Sequence, residues 1–502
     1  SFLSFAQPDD EVRKVTFKEA EDKFIAGNYD DALDDFLNLL AQEPKNEKYN
    51  YNVAVCYLNT NINKAKAVPY LEILTHKPKC DPNTWYLLGR AYHYANRFDD
   101  AINTYTKFKT AGKGTDFNLK DADRQIQYCL NAKELMKFPN NVVFENLGEK
   151  VNSEYNDRYA FVPVDESFIA FNTNRPTKDA QEASDGNYAN SIYVSREKMG
   201  VFEKAYVIGA PINKGNSGEE LVGLSANGEF MILYIKDKKG VGNLYVSERD
   251  EHSVYKQPVA LDKTIDSDKD EIAASITPDG MTIYFASNRA GGFGGTDLYM
   301  SKKLPTGKWS EAVNLGNEVN TVFDEDFPNI SPDGKLLYFS SNGHISMGGY
   351  DIFHAEWSVD SMKWKNVKNL GYPINTTLDD NNFRISFSGR YGYISSMRPG
   401  GYGDYDIYRV TFSEVEPELS VIRGAISAED GSKINYPDVF ITVTDTKGEI
   451  VGNYLPNPNT GKYVIILAPG KYTLSVDLFG FKILTKSINV LDKGSFKAEV
   501  DL

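Results

Sequence analysis

Three stretches of the chain align with one another, and their repetition constrains the fold more than any other feature. They are "SITPDGMTIYFASNRAGGFGGTDLYMSKK" from Ser275, "NISPDGKLLYFSSNGHISMGGYDIFHAEW" from Asn329 and "RISFSGRYGYISSMRPGGYGDYDIYRVTF" from Arg384. All share a tight turn, two strand-like runs and an Asp-aliphatic-aromatic ending. Two weaker copies, from Phe161 and Gly223, precede them, the first with an insertion around residues 177–187. The turn residues Glu166, Gly228, Gly280, Gly334 and Gly389 are 62, 52, 54 and 55 positions apart. Strand-rich units recurring at this interval predict a β-propeller, in which radial repetition leaves few sheet edges exposed.

A second motif punctuates the units. "NLGEKVN" at Asn146, "VIGAPIN" at Val207, "ALDKTID" at Ala260, "NLGNEVN" at Asn314 and "NLGYPIN" at Asn369 each precede a unit, and none follows the last. Five linkers and five turns predict five blades over residues 141–413, with the entering strand completing the final one. The four glycines between Gly291 and Gly295 resemble a phosphate loop in isolation. The residue where a dinucleotide fingerprint needs its third glycine is Asp297, followed by "LYMS", so the stretch reads as a blade hairpin.

Asp297, Asp351 and Asp406 fall at one position of the repeat, and a residue recurring once per blade is expected to bond backbone at a turn. Glu219, Glu220, Asp270, Glu271, Glu325 and Asp326 recur just before each blade's first strand, and are expected to decorate one propeller face. The five histidines, His76, His93, His252, His344 and His354, have no partners in sequence, and no Ser/His/Asp grouping is visible. Asp266, Asp268 and Asp270 have calcium-loop spacing without the loop's glycine and distant glutamate. No catalytic residue, metal or cofactor is therefore expected, and the chain reads as non-enzymatic. The alternative is a carbohydrate-binding or glycan-hydrolysing five-bladed propeller working with paired channel carboxylates.

The first third follows a different period. "TWYLLGRAYHYANRFDDAINTY" sets Trp85, Leu88, Gly89, Tyr92, Phe98, Ala101 and Tyr105 in the frame of a tetratricopeptide repeat. Two further copies fit upstream, the second with Lys66 where the small crossing residue belongs, and "KDADRQIQYCLNAKELM" supplies a capping helix. In that frame Tyr51, Tyr86, Arg90, His93 and Tyr94 face a concave, protein-binding groove. Cys56, Cys80 and Cys129 are too few and too scattered for a disulfide framework.

Residues 141–413 hold 27 basic against 38 acidic side chains and so carry 11 of the 15 net negative charges, which disfavours nucleic acid as a partner. No apolar run is long enough to cross a membrane as a helix. The opening "SFLSFAQPDDE" has the apolar tail and acidic follow-on of a secretory signal near its cleavage point, so export is expected. After the polar "SEVEPELS", short β-branched runs alternate with Gly, Asn and Asp turns, predicting a small β-sandwich.

The expected fold class is thus multidomain: all-α tetratricopeptide repeats, a five-bladed all-β propeller, then a small all-β sandwich. Its divisions are a residual signal at 1–12, repeats at 13–138, the propeller at 141–413 and the sandwich at 419–502. "SPDGKLLYFSSN" and "GGYDIF" are similar to TolB-type propellers, and "TGKYVIILAPGKY" resembles the carboxypeptidase regulatory-like, transthyretin-type domain. In this order the modules resemble the PorE-like family of Bacteroidetes envelope proteins, components of the type IX secretion system. The resemblance implies a scaffold in the periplasm, associated with the outer membrane, whose partners are outer-membrane and periplasmic secretion proteins. Family members usually continue into an OmpA-type domain, which implies peptidoglycan contact through a domain not present in this chain.

Overall fold

A computed structural model describes residues 15–60, 63–163, 165–178, 180–198, 201–214, 219–277, 279–386, 389–413, 419–468, 470–490 and 497–502. The expected signal remnant at 1–12 and most of the polar linker, residues 414–418, lie outside the described residues. The chain divides into two compact units. One runs to Ile126 and takes in Glu182–Asn187; the other comprises Gln127–Gln181 and Tyr188–Leu502.

The α-helices span Phe17–Ala26 (α1), Tyr29–Gln42 (α2), Glu47–Asn59 (α3), Val68–Thr75 (α4), Pro82–Tyr94 (α5), Phe98–Ala111 (α6) and Asp116–Leu135 (α7). Thr16 and Glu19 form a capping box at the start of α1, and Gly27, at φ 84°, ends it in the left-handed region. α2 buries Ala32, Leu33, Phe36, Leu39 and Leu40 along one stripe. α5 and α6 pack closely because position 89 is glycine: a Cβ there would stand 2.6 Å from the Tyr105 ring. The second pair is irregular. A 3-10 turn at Lys64–Ala67 precedes α4, which has only eight residues and carries proline in its first turn. The insertion near 182–187 belongs with these helices, Gly186 lying against Asn28.

The expected class, all-α tetratricopeptide repeats followed by a five-bladed all-β propeller and an all-β sandwich, is corrected here, because it is matched only in part. The chain is mostly β, built as many small antiparallel sheets, with seven α-helices among the described residues, all before residue 136. The register assigned from spacing noted Lys66 at the crossing position but took no account of Pro69, which stands in the first turn of the eight-residue α4. The sheets are also unequal: the one built on Asp157–Phe161, Phe168–Thr173 and Ser191–Lys198 has two short strands, Val201–Phe202 and Tyr206–Val207, pairing to Ser191–Lys198.

The remaining sheets of the ring have four strands each. Their innermost strands, Glu220–Leu224, Glu271–Ile276, Glu325–Ile330 and Asn381–Ile385, meet one another and Asp157–Phe161 in a closed circle. The strand Val142–Asn146 pairs antiparallel with Asp406–Phe412, aligning Val142 with Phe412 and Asn146 with Tyr408, and so supplies the outer edge of the last sheet. Glu166, Gly228, Gly280, Gly334 and Gly389 all have positive φ, from 50° to 71°, at the hairpin turns that the repeat predicted. Beyond the ring, Ser420–Ala425, Lys462–Leu467 and Lys497–Glu499 form one sheet of a sandwich. Ile450–Tyr454, Phe440–Thr444, Gly470–Asp477 and Leu484–Val490 form the other, over a core of Ile422, Ile441, Val443, Tyr463, Ile465 and Leu474.

The linker motif is a side-chain clamp. In "NLGNEVN" the final Asn320 accepts from the Leu298 amide at 2.8 Å and donates to the Leu298 carbonyl at 2.9 Å, copying a strand partner. Asn152 does this with Ile407 and Asn375 with Ile352. The first asparagine of the motif, Asn146, Asn314 or Asn369, donates to Asp406, Asp297 or Asp351 at 2.6–2.7 Å. That aspartate also accepts loop amides, Phe293 and Gly294 in the case of Asp297. Removing the amide leaves buried backbone unpaired, so Asn320→Ala is expected to cost roughly 3 kcal/mol in urea unfolding.

Asp266 stands in the clamp position of "ALDKTID" and accepts from the Leu244 amide at 3.0 Å. Burial first, and the neighbouring Glu271 charge after it, push its carboxyl up to about 7 from 3.8. A carboxyl raised in the folded state favours folding below its ordinary range, and that contribution is lost as pH climbs toward 7. Asp266→Asn supplies the missing donor without a charge. Its urea midpoint is expected to exceed the wild type's at pH 8, with the gain shrinking toward pH 5.

Candidate functional site

The ring offers two kinds of position: those that repeat in every sheet and those that do not. Among the first are the carboxylates at the head of each innermost strand. Glu271 is fully buried and accepts from the Ser267 amide at 2.9 Å, the Ser267 hydroxyl at 2.7 Å, the Ser287 hydroxyl at 2.8 Å and Arg289 at 3.0 Å. Glu325, equally buried, takes the Thr321 amide and hydroxyl and the Ser341 hydroxyl, each at 2.7 Å. Asp380 and Asp157 repeat the arrangement with Thr376 and Ser396, and with Ser153 and Arg175. Burial raises the carboxyls of Glu325, Asp380 and Asp157, and the hydrogen bonds oppose it. Arg289 lies between the Phe285 and Tyr299 rings, and Arg175 between Phe171 and Tyr193. In the sheet of Glu325, His344 takes the arginine's place and bonds the Val319 carbonyl at 2.8 Å.

Glu271 and Glu325, expected on an exposed face, are therefore interior braces. The serine or threonine four residues earlier in each linker was the sequence signal for this role. Asp270 accepts from the Gly242 amide at 2.7 Å, and Glu220 receives Asn190 at 2.7 Å; both are half-buried. Asp326 is 7% exposed, its oxygen takes the Phe327 amide at 2.6 Å, and burial pushes it up to about 7. The half-buried Tyr159 has its hydroxyl raised to about 12, by burial first, with Glu220, Asp326 and Asp379 raising it further and Arg158 opposing them. Among the described residues no three His, Cys, Asp or Glu side chains are grouped to hold a metal ion.

In the helical unit the groove residues divide. Tyr86 is 5% exposed and donates to Asp121 at 2.6 Å, and its ring packs on Tyr105 and Phe108. His93 is 3% exposed and lies against Tyr94 and Phe98. Both serve the packing of α5 on its neighbours. Tyr51, Arg90 and Tyr94 remain partly accessible, with Arg90 donating to the Tyr94 hydroxyl at 3.0 Å.

The repeat missed the second kind of position, residues on the innermost strands that differ from sheet to sheet. Four residues after Asp157, the buried Glu219, Glu271, Glu325 and Asp380 stand Phe161, Gly223, Ser275, Asn329 and Arg384. A small cavity of about 40 Å³ is lined from all five innermost strands, by Phe161, Ser275, Asn329 and Arg384 and, beside Gly223, by Leu224. The sequence signal was the failure of these positions to repeat.

Closed ring, radial sheets and an axial cavity define a β-propeller protein. No protein-family model matches the chain, nor does any curated protein. Among solved structures it is similar to a putative TolB from Agrobacterium tumefaciens, with 13% identity and TM-score 0.34 over 65% of this chain and 97% of that one. TolB from Acinetobacter baumannii matches at 16% identity and TM-score 0.31, over 60% and 71%. A thermostable family-43 glycoside hydrolase matches at 13% identity and TM-score 0.36, over 57% and 99%. No helix among the described residues is long and apolar enough to cross a membrane.

Glu271→Ala strands Arg289 and two hydroxyls, and is expected to cost about 3 kcal/mol or more of stability. Glu220→Gln, by contrast, should change the unfolding free energy by less than about 0.5 kcal/mol. Chemical denaturation of the two variants checks the division between fully buried braces and half-buried carboxylates.

Proposed function

We propose that the chain is a non-enzymatic scaffold of the outer-membrane secretion machinery, of the PorE type, working in the periplasm as part of type IX secretion. It binds partner proteins through the helical region and the propeller and links them toward peptidoglycan. The observation that carries this reading is the use made of the carboxylates. A glycan hydrolase needs an acid and a second carboxylate facing one open pocket. Here the repeated carboxylates are buried in hydrogen bonds to serine, threonine and arginine that brace neighbouring strands.

Two surfaces support a binding role. Tyr51, Arg90 and Tyr94 offer partly accessible aromatic and cationic groups on α3 and α5. The sandwich leaves Phe440, Ile450, Val451, Phe479, Ile483 and Leu484 exposed, Phe479 fully so. Large apolar side chains collected on one small domain mark a contact surface.

The test is crosslinking in cells, recovery of the tagged chain from membranes, and mass spectrometry. Arg90→Ala with Tyr94→Ala removes a hydrogen-bonded pair together and leaves no orphan. It is expected to lower recovery of an envelope partner about tenfold while leaving the melting temperature within ~2 °C of wild type. Failure of the wild type to capture any envelope protein, or release of sugar from polysaccharide by the purified chain, would overturn the reading.

A further inference from the structure

Arg384 is the one arginine of the innermost strands buried at the axial cavity, 5% exposed. Its Nε donates to the Asn382 side-chain oxygen at 3.1 Å, and one Nη donates to the Asn329 side-chain oxygen at 2.8 Å. The same nitrogen reaches the Pro328 carbonyl at 3.5 Å, and the guanidinium lies 4.2 Å from the centre of the Phe161 ring. All these acceptors are neutral. The second Nη is buried and has no acceptor.

Three less buried arginines of the ring, with side chains 15–16% exposed, are treated differently. Arg175 has Asp157 at 2.8 Å, Arg289 has Glu271 at 3.0 Å and Arg398 has Asp380 at 3.8 Å. Burial alone acts on Arg384, lowering it to about 9, so it stays charged at neutral pH with no carboxylate to answer it. A buried charge without a counter-charge is costly, and proteins answer such charges with a partner of opposite sign.

The cavity beside it has room for such a partner. Its volume of about 40 Å³ exceeds the roughly 10–15 Å³ that one water needs. Ser275 and Asn329 line it with Arg384. The Ser275 oxygen accepts from the Ile330 amide at 3.1 Å, which leaves the hydroxyl hydrogen to donate. Asn329 commits one amide hydrogen to the Phe383 carbonyl at 3.1 Å and keeps the other. Donors therefore outnumber acceptors, and the rest of the wall is apolar, including Phe161, Leu224 and Ile385.

We propose that this cavity is a binding site for a small monovalent inorganic anion of chloride's size, held by Arg384 with Ser275 and Asn329. The anion completes the interior of the ring by supplying the counter-charge that no side chain provides. Divalent sulfate or phosphate is the poorer fit, because Arg384 is the single cation lining the cavity and the donors are few. The site needs no contact with the surfaces proposed for partner proteins, so it stands whether or not the scaffold reading does.

The test uses the full chain and compares melting in sodium chloride and in sodium gluconate at equal ionic strength. Chloride is expected to raise the midpoint saturably, by about 3 °C at ten times its dissociation constant. Arg384→Met should remove that gain. Because a core arginine variant may not fold, Asn329→Asp serves as the second variant: it sets a carboxylate beside Arg384 as an internal counter-ion and should fold without chloride dependence. Crystals soaked in bromide should show one anomalous peak beside Arg384. Equal midpoints in the two salts, an undiminished chloride gain in Asn329→Asp, or a missing bromide peak would each overturn the site.

Discussion

The ring depends on one interaction, the asparagine amide that both accepts from and donates to the second residue of a neighbouring strand. Linkers between sheets leave the regular ladder, and a strand that begins inside the protein has backbone groups that water cannot reach. An amide side chain carries the same donor and acceptor as a peptide, so Asn152, Asn320 and Asn375 substitute for a missing strand. Each is then oriented by the motif's first asparagine, whose oxygen takes its amide at 2.8 Å. That first asparagine is held in turn by the aspartate that gathers the preceding loop. Such chains of buried hydrogen bonds are worth more together than singly, which accounts for a motif of six or seven residues recurring as a whole.

Around this frame the ring separates structural chemistry from the chemistry left over. What recurs is consumed: head carboxylates by hydroxyls and arginines, loop aspartates by amides and asparagines. Part of the acidic excess of residues 141–413 is accordingly interior. What does not recur, Arg158, Glu220 and Asp326 at the start of the innermost strands and Arg384 deeper along them, is what distinguishes one sheet from another. Pseudo-symmetry supplies stability, and departures from it leave side chains with unspent capacity.

Much of the ring was legible in the sequence because its signals are local. A turn that needs positive φ shows as Pro-Asp-Gly, and the count of linkers without a final copy foretold the pairing of Val142–Asn146 with Asp406–Phe412. The burial of Glu271 and Glu325 was not legible by the same means. Each innermost strand slips register just after its head residues, as between Glu271 and Ala273 and between Asp326 and Asn329. The bulge turns side chains away from the alternation that period-two reading assumes. In the helices, spacing located α5 and α6 but placed Tyr86 and His93 on the groove, when both rings fill the space between helices. An aromatic stripe does not say which of two helix faces is the more crowded.

The pairing of Val142–Asn146 with Asp406–Phe412 has a kinetic side. Asn146 and Asp406 are separated by 260 residues, so the ring's first strand must wait for its last before it is paired. Until then both it and the outer edge of the final sheet offer unpaired backbone. Contacts this distant in sequence form slowly, because the entropy of closing the loop is lost before any pairing rewards it. The chain is thus most vulnerable to aggregation and proteolysis in the interval between delivery of residue 146 and folding of residue 412. A chaperone acting on it would find its target at those two edges.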